Sequence, residues 1–258
     1  MFYLGVVDFA CVLLNSIISG YFSIMGTVYC SNEILVYVTG CFGTALWSTS
    51  CAACILLAMN RCLTVIRPRT AEWLFKGHRT SLLLLFPVAY FLYFLFFTKP
   101  LLFSSRSYAM FFNPFIDIPG YDLEIEEPKY ANISHTFNNV ADVILLSTTY
   151  AVFCGFIVKS STSRTISLQQ KTFIQATTIC GINATAAIIY VLMQFMPTPT
   201  VLIVIGQVAW QASHGAPVFI YLFVNRSIRC AVLDFLGIEY IAAKVSNFTD
   251  YFSLRQSK

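Results

Sequence analysis

The side chains that most often perform chemistry are few in this chain and lie far apart. Its three histidines, His78, His135 and His214, fall in widely separated segments. Cys51 and Cys54 form a C-x-x-C pattern inside an apolar run, whereas zinc and redox sites of this pattern need a loop. The sequence therefore predicts no catalytic residues, no bound metal, no cofactor and no enzyme activity.

Two charged residues are informative because of where they lie. Asn60-Arg61-Cys62 follows an apolar run over residues 35–59, where a basic loop begins. A cation at the end of a membrane span reaches the interface at low cost, so Arg61 is predicted to mark the membrane boundary and to face the cytoplasm. An ordinary anchoring role is the alternative. Asp8 lies within another apolar run, where an acid needs a partner or a proton. It is predicted to have a conformational role, with a structural hydrogen bond or an inert protonated acid as the alternatives.

Composition places the chain in a lipid bilayer. Of its 258 residues, 57% are hydrophobic and 11% are charged, and the mean hydropathy is +0.71. Such a chain has too few polar groups to cover a soluble globule, so it is predicted to be an integral membrane protein. The net charge of +4 is small and unevenly distributed, which disfavours nucleic acid as a partner.

Six segments are long enough to cross a bilayer as helices, because a core of about 30 Å needs about 20 apolar residues. The predicted spans lie near residues 1–25, 35–59, 80–98, 138–158, 172–196 and 200–224. Small residues abound in the second span, which suits a helix at the centre of a bundle. Residues 226–237 are predicted to form an amphipathic helix along the inner leaflet. Cys230 within it is a candidate palmitoylation site, with simple burial as the alternative.

The basic residues predict the orientation. One side of the membrane receives most of them: Arg61, Arg67, Arg69, Lys76, Arg79, Lys159, Arg164, Lys171, Arg226, Arg229, Lys244, Arg255 and Lys258. The other side has Lys99, Arg106 and Lys129 in the loop over residues 99–137, and by the positive-inside rule it is the outer side. Asn132 begins a glycosylation sequon in this loop. Asp142 and Lys99 are expected at outer helix ends, where interfacial solvation and contact with a charged ligand explain them equally well.

Several stretches in combination resemble one family. They are Leu4-Gly5-Val6-Val7-Asp8, Gly26-Thr27-Val28-Tyr29-Cys30, Ala58-Met59-Asn60-Arg61-Cys62-Leu63 with Pro68, Leu74-Phe75-Lys76-Gly77-His78-Arg79-Thr80, His214-Gly215-Ala216-Pro217 and Tyr221-Leu222 with Asn225-Arg226-Ser227-Ile228-Arg229. Over nearly the whole chain this resembles the nematode serpentine chemoreceptors of class T (Srt). The resemblance implies an all-α membrane protein, a rhodopsin-like helical bundle with six of seven transmembrane helices present. The visible first span is then equivalent to the second helix of such a bundle.

The resemblance also implies function. A multi-pass receptor of the plasma membrane would bind an unknown small-molecule ligand outside and signal to a heterotrimeric G protein inside. Asn60-Arg61-Cys62 takes the place of an acidic-Arg-aromatic triplet, so Arg61 is implied as the contact that admits the G protein, although neutral Asn60 offers it no ion pair. Pro217 and Tyr221 take the place of a proline-tyrosine switch, and Asp8 resembles an aspartate that holds sodium.

Two questions stay open at this stage. Trp210, Gln211 and His214 form a polar and aromatic stripe with Gln207, which either packs between helices or lines a ligand pocket. Residues 1–237 are predicted to form the bundle with its surface helix, and 238–258 a cytoplasmic tail. The alternative functions are a non-signalling truncated receptor product and a six-span transporter or channel, although no span repeats the arginines of a voltage sensor.

Overall fold

The computed structural model of the protein describes residues 2–115, 120, 129–159, 164–195, 199–224 and 226–236. Within them, five helices are long and apolar enough to cross a membrane, and a sixth span is counted if Val201–Phe223 is taken together with Ile228–Phe235. The chain divides into two compact units, Met1–Ala216 and Pro217–Lys258, which we describe separately. The predicted tail over 238–258 lies outside the described residues.

The described elements follow the predicted spans closely. The first span consists of α1 (Phe2–Val12), a π-helical segment (Leu13–Ile18) and α2 (Ser19–Ile24). The later elements are α3 (Glu33–Ile66), α4 (Pro68–Leu74), α5 (His78–Phe97), β1 (Leu102–Ser104), β2 (Ala109–Phe111), α6 (Ile133–Lys159), α7 (Arg164–Phe195), α8 (Thr200–Val224) and α9 (Arg226–Phe235).

Helix α3 is the central helix of the first unit, as its small residues predicted. It packs against α1, α5, α6 and α7, and Gly40, Gly43, Ala45 and Ser48 are all buried along it. Small side chains allow such close approach of several neighbours. Its 34 residues give a length of about 50 Å, which exceeds a bilayer core of about 30 Å. The helix therefore continues five residues past Arg61, to Ile66, and the membrane boundary at Arg61 stays a prediction.

A β-hairpin that the sequence did not reveal lies in the predicted outer loop. Strands β1 and β2 pair antiparallel, with Leu102 opposite Phe111. The hairpin is attached to α3 through Thr44, whose Oγ1 accepts a hydrogen bond from Leu101 N at 3.1 Å and donates to Gly40 O at 2.9 Å. At Gly40 an added Cβ would lie 1.6 Å from Leu101 O. Glycine is thus required for this close contact between loop and helix.

Helix α6 begins five residues before the predicted span. Asn132 forms its N-cap, because Asn132 Oδ1 accepts a hydrogen bond from His135 N at 2.9 Å. The capped first turns carry the polar residues before the apolar part of the helix, and hydropathy alone therefore placed the start too late. The early start moves Asp142 more than two turns into the helix.

The second unit contains the end of α8 and the short helix α9. Pro217 lies inside α8 and is buried. Arg229 on α9 donates from Nη1 to Leu222 O at 3.2 Å and to Phe223 O at 3.1 Å, so it satisfies carbonyls at the C-terminus of α8. The helix predicted over residues 226–237 is confirmed as α9.

Candidate functional site

A buried acid–histidine pair joins the first and last spans of the first unit. His214 Nδ1 on α8 lies 2.8 Å from Asp8 Oδ1 on α1, and the two side chains are 0% and 7% exposed. Asp8 therefore has the partner that an acid in a membrane span needs. The predicted conformational residue Asp8 and the predicted pocket residue His214 are in direct contact.

The sodium ion that the resemblance implied does not fit at Asp8. One carboxylate oxygen already contacts His214 Nδ1, and the Cys11 thiol is another close neighbour of the acid. The ring of His214 also meets the ring of Trp47 at nearly a right angle, with ring centroids 5.9 Å apart. Hard cations take oxygen ligands, whereas one oxygen of this carboxylate is already in contact with a ring nitrogen.

The other predicted pocket residues are bound to the π-helical segment. Gln211 Nε2 and Gln207 Nε2 donate to the backbone oxygen of Asn15 at 2.8 and 3.1 Å. Asn15 Nδ2 in turn lies 3.5 Å from Trp210 O, and the Trp210 side chain is buried. π-Helical turns alter the i to i−4 ladder and often occur at functional sites. Trp210, Gln211 and His214 thus all form contacts to the first span.

A second buried polar group, which we call the Asn–Asp cluster, consists of Asn138, Asn139, Asp142 and Asn183. Asn183 Nδ2 on α7 donates to Asp142 Oδ2 on α6 at 3.2 Å and approaches Cys51 Sγ on α3 at 3.6 Å. Asn138 Nδ2 donates to Asn139 Oδ1 at 3.1 Å. The cluster therefore connects the three helices α3, α6 and α7.

The position of Asp142 corrects the sequence interpretation. It was expected at a solvated outer helix end, but its side chain is completely buried in the bundle. The cause is the early start of α6 and the packing of this helix against α3 and α7. A signal was present in the sequence, because Asn138, Asn139 and Asp142 occur within five residues, so that positions 138 and 142 share one helix face. Asn183, inside another apolar span, was the second signal.

Trp47 links the two polar groups. Its Nε1 donates to Asn139 Oδ1 at 2.7 Å, while its ring meets the His214 ring edge-on. The same ring lies 6.3 Å from Tyr190, whose own neighbour His135 is 6.4 Å away. His135 in turn packs against Phe112 with centroids 4.9 Å apart. We call this series from Phe112 to His214 the ring chain.

Phe112 is also part of a cavity at the predicted outer side. The cavity has a volume of about 560 Å³. Its lining is mainly aromatic, with two lysines: Tyr29, Tyr37, Phe96, Phe97, Thr98, Lys99, Pro100, Leu102, Phe112, Pro114, Lys129 and Tyr130. The size and apolar walls are typical of small-molecule sites. The ring chain thus begins at a cavity wall and ends at the acid–histidine pair.

The predicted switch residues lie in two places. Asn60 and Arg61 are half-buried and Cys62 is buried on α3, and Asn60 O accepts a hydrogen bond from Thr64 Oγ1 at 2.7 Å. Pro217 and Tyr221 belong to the second unit, inside α8. Their roles stay predictions.

Two predicted modification sites have different surroundings. Asn132 is 5% exposed, and its Nδ2, the atom that would carry a glycan, donates to Lys99 O at 2.7 Å. A glycan would replace one hydrogen of Nδ2 and leave Oδ1 to cap the helix, but it would need space beside a buried side chain, and the glycosylation of Asn132 stays a prediction. Cys230 is half-buried on α9 and unpaired as a free thiol, and its palmitoylation stays a prediction.

Comparison with known proteins supports the resemblance noted in the sequence. A family model described as serpentine type 7TM GPCR chemoreceptor Srt matches residues 1–245. Serpentine receptor class T-55 from Caenorhabditis elegans is 25% identical over 243 residues, which is 92% of this chain and 64% of that relative. The chain thus spans somewhat less than two thirds of the curated relative. No solved structure matches the chain.

Proposed function

Because the chain belongs to the Srt family of serpentine 7TM GPCR chemoreceptors, we propose that it is the membrane-embedded part of a chemosensory receptor in the plasma membrane. It is a multi-pass membrane protein of a family that is not an enzyme class. The proposed activity is reversible binding of an external small molecule, which changes the populations of two bundle states. The proposed partner inside the cell is a heterotrimeric G protein.

The observation that best supports this function is the ring chain. It runs without a gap in packing from Phe112 at the outer cavity, through His135, Tyr190 and Trp47, to His214. At its end, His214 contacts Asp8 on a different helix. A ligand that moves the cavity wall can therefore change the contact between the first and last spans.

We place the ligand in the outer cavity. Trp210 and His214 are fully enclosed, and Gln211 is bound to Asn15 O, so a ligand can reach the cavity wall more easily than these three side chains. In this proposal the predicted pocket residues respond to the ligand through the packing of the ring chain. The hairpin forms the boundary between the cavity and the bundle interior, because Leu102 and Phe112 both line the cavity.

On the cytoplasmic side we propose that Arg61 contacts the G protein. The family resemblance of Asn60-Arg61-Cys62 and the position of Arg61 in the last two turns of α3 support this role. Neutral Asn60 provides no ion pair that would hold Arg61 in the inactive state. We therefore propose that Pro217 and Tyr221, at the proline of α8, supply the conformational change, since proline weakens a helix locally.

The coupling proposal is tested in cells that express the chain with a G-protein activation reporter and are screened with a panel of volatile and water-soluble small molecules. We expect an active compound whose response is absent from cells without the chain. Arg61→Ala should reduce the response to background, because the contact that admits the G protein is lost.

The matched control is Arg69→Ala, an exposed arginine on the neighbouring helix α4. It should respond as the parent chain does. Equal responses of the parent and Arg61→Ala, at equal surface expression, would contradict the role of Arg61.

A further inference from the structure

Three buried oxygens in the Asn–Asp cluster and beside it have no hydrogen-bond partner. They are Ser48 Oγ, Asp142 Oδ1 and Asn183 Oδ1, and the Asn139 Nδ2 group nearby also has no acceptor. All four side chains are at most 1% exposed. Buried polar groups are almost always paired with protein or with an ordered water or ion. Several such atoms in one region make it a candidate site for an ordered water or an ion.

The three oxygens belong to helices that already meet at this point. Asn183 Nδ2 bridges Asp142 Oδ2 and Cys51 Sγ, which brings α6, α7 and α3 together. Ser48 lies one turn before Cys51 on α3, and its neighbour Trp47 donates to Asn139 on α6. Ser48 is therefore on the part of α3 that faces the cluster.

The charge of Asp142 is not balanced by a basic side chain. Its hydrogen bond comes from the amide of Asn183, and the ion pairs of the described residues do not include it. A carboxyl group in a low-dielectric interior either takes up a proton or, when ionised, requires a compensating positive charge. The unpartnered oxygens are acceptors, so the missing group is a cation or a donor.

We propose that Asp142, Asn183 and Ser48 form a binding site for a small monovalent cation of the sodium class. One carboxylate supplies the negative charge, and an amide and a hydroxyl oxygen complete a set of hard ligands. Divalent sites usually have more carboxylates, and among the described residues there is no cluster of histidine, cysteine and acidic residues that would hold such a metal. Asn139 Nδ2 can donate to a water molecule beside the ion.

This site differs from the position at Asp8 that the resemblance suggested. There, His214 occupies the carboxylate and the neighbours are thiol and aromatic groups. At Asp142 a thiol, that of Cys51, is also near, but the atoms without a partner in this region are oxygens on three different helices. A cation bound there would stabilise the packing of α3, α6 and α7. Its binding would not depend on which external ligand the chain recognises.

The test is thermal unfolding of the purified full chain in lipid nanodiscs at constant pH and ionic strength, with sodium chloride exchanged for N-methyl-D-glucamine chloride. Ligand binding to the folded state raises Tm, so we expect an increase of about 2 °C or more in saturating sodium. Asp142→Asn should abolish the increase. Asp8→Asn is the matched control, because it removes the other intramembrane acid, and it should keep the increase.

Milder variants keep the test informative if Asp142→Asn does not fold. Ser48→Ala and Asn183→Ser should each shift the midpoint of the sodium dependence to higher concentration. No sodium dependence in the parent chain would overturn the proposal, as would an unchanged dependence in Asp142→Asn or in both milder variants. A dependence lost in Asp8→Asn and kept in Asp142→Asn would assign the ion to Asp8 and would also overturn it.

Discussion

The two buried acids of the bundle, Asp8 and Asp142, are compensated in different ways. Asp8 contacts an imidazole, His214 Nδ1, at 2.8 Å. Asp142 receives a hydrogen bond from an uncharged amide, Asn183 Nδ2, at 3.2 Å. Asp8 therefore has a protein partner, although His214 Nε2 has none, while Asp142 has a carboxylate oxygen without a partner.

This difference suggests separate functions for the two groups. The acid–histidine pair joins two elements that are far apart in the sequence, α1 and α8, so it can report the relative state of the first and last spans. The Asn–Asp cluster lies among α3, α6 and α7, and we propose that it binds a cation. Trp47 contacts both groups, which places one side chain where the two can influence each other.

The largest expected effect comes from removing the histidine. His214→Ala leaves Asp8 buried without its partner, and breaking a buried pair costs about 3–5 kcal/mol of stability. Thermal unfolding of the purified chain should show a clear decrease in Tm. His78→Ala, an exposed histidine at the start of α5, is the control and should leave Tm unchanged. A Tm for His214→Ala equal to that of the control would show that the pair does not compensate Asp8.

A smaller effect is expected at the other acid. In sodium-free buffer, Asp142→Asn removes an uncompensated charge and keeps a polar group that Asn183 can bind, so stability should stay within about 1 kcal/mol of the parent. The same change at Asp8 should cost more, because the charge there is paired. The two variants are compared by thermal unfolding. A greater loss of stability for Asp142→Asn than for Asp8→Asn would contradict the different compensation of the two acids.

Trp47→Phe tests the connection between the two groups. Phenylalanine keeps a ring beside His214 but loses the hydrogen bond to Asn139 Oδ1, which should cost about 1–2 kcal/mol. Trp73→Phe, at an exposed position on α4, is the matched control. The destabilisation by Trp47→Phe should be smaller when Asn139→Ala is already present. Strictly additive effects of the two changes would argue against the hydrogen bond between Trp47 and Asn139.

The exposed ion pair of Glu72 and Lys76 gives the smallest effect. Lys76 Nζ lies 2.8 Å from Glu72 Oε1, and this hydrogen bond lowers the pKa of the Glu72 carboxyl and raises that of the Lys76 amine. A lowered carboxyl pKa gives stability that is present above the unfolded pKa and is lost as pH falls. Because water screens both groups, Glu72→Gln should not change Tm measurably between about pH 5 and pH 8. A clear decrease would show that exposure is a poor guide to the strength of ion pairs in this chain.

The sequence predicted the parts of the structure that depend on hydropathy. All six apolar segments are helical, and the small residues of the second one placed it at the centre of the bundle. Length alone did not place the ends of α3 and α6, because a helix can extend past the apolar part when its polar residues are capped or packed. Asn132 is such a cap.

The contacts of the candidate site were harder to predict because they join distant positions. Asp8 and His214 were each noted as unusual, but nothing in one sequence indicates that residues 206 positions apart share a hydrogen bond. The hairpin was missed because its strands are three residues long, too short for an alternating pattern. Asp142 was misplaced since hydropathy does not distinguish a polar residue at a helix end from one facing a polar neighbour.

The most direct measurement is a concentration–response series for a compound that activates the parent chain in reporter cells, repeated with Tyr190→Ala. Tyr190 is the buried middle of the ring chain, and its removal should lower the maximal response about fivefold or more at equal surface expression. Tyr93→Ala, an exposed tyrosine on α5, should respond as the parent does. Identical responses of the parent and Tyr190→Ala would contradict signalling from the outer cavity to the acid–histidine pair.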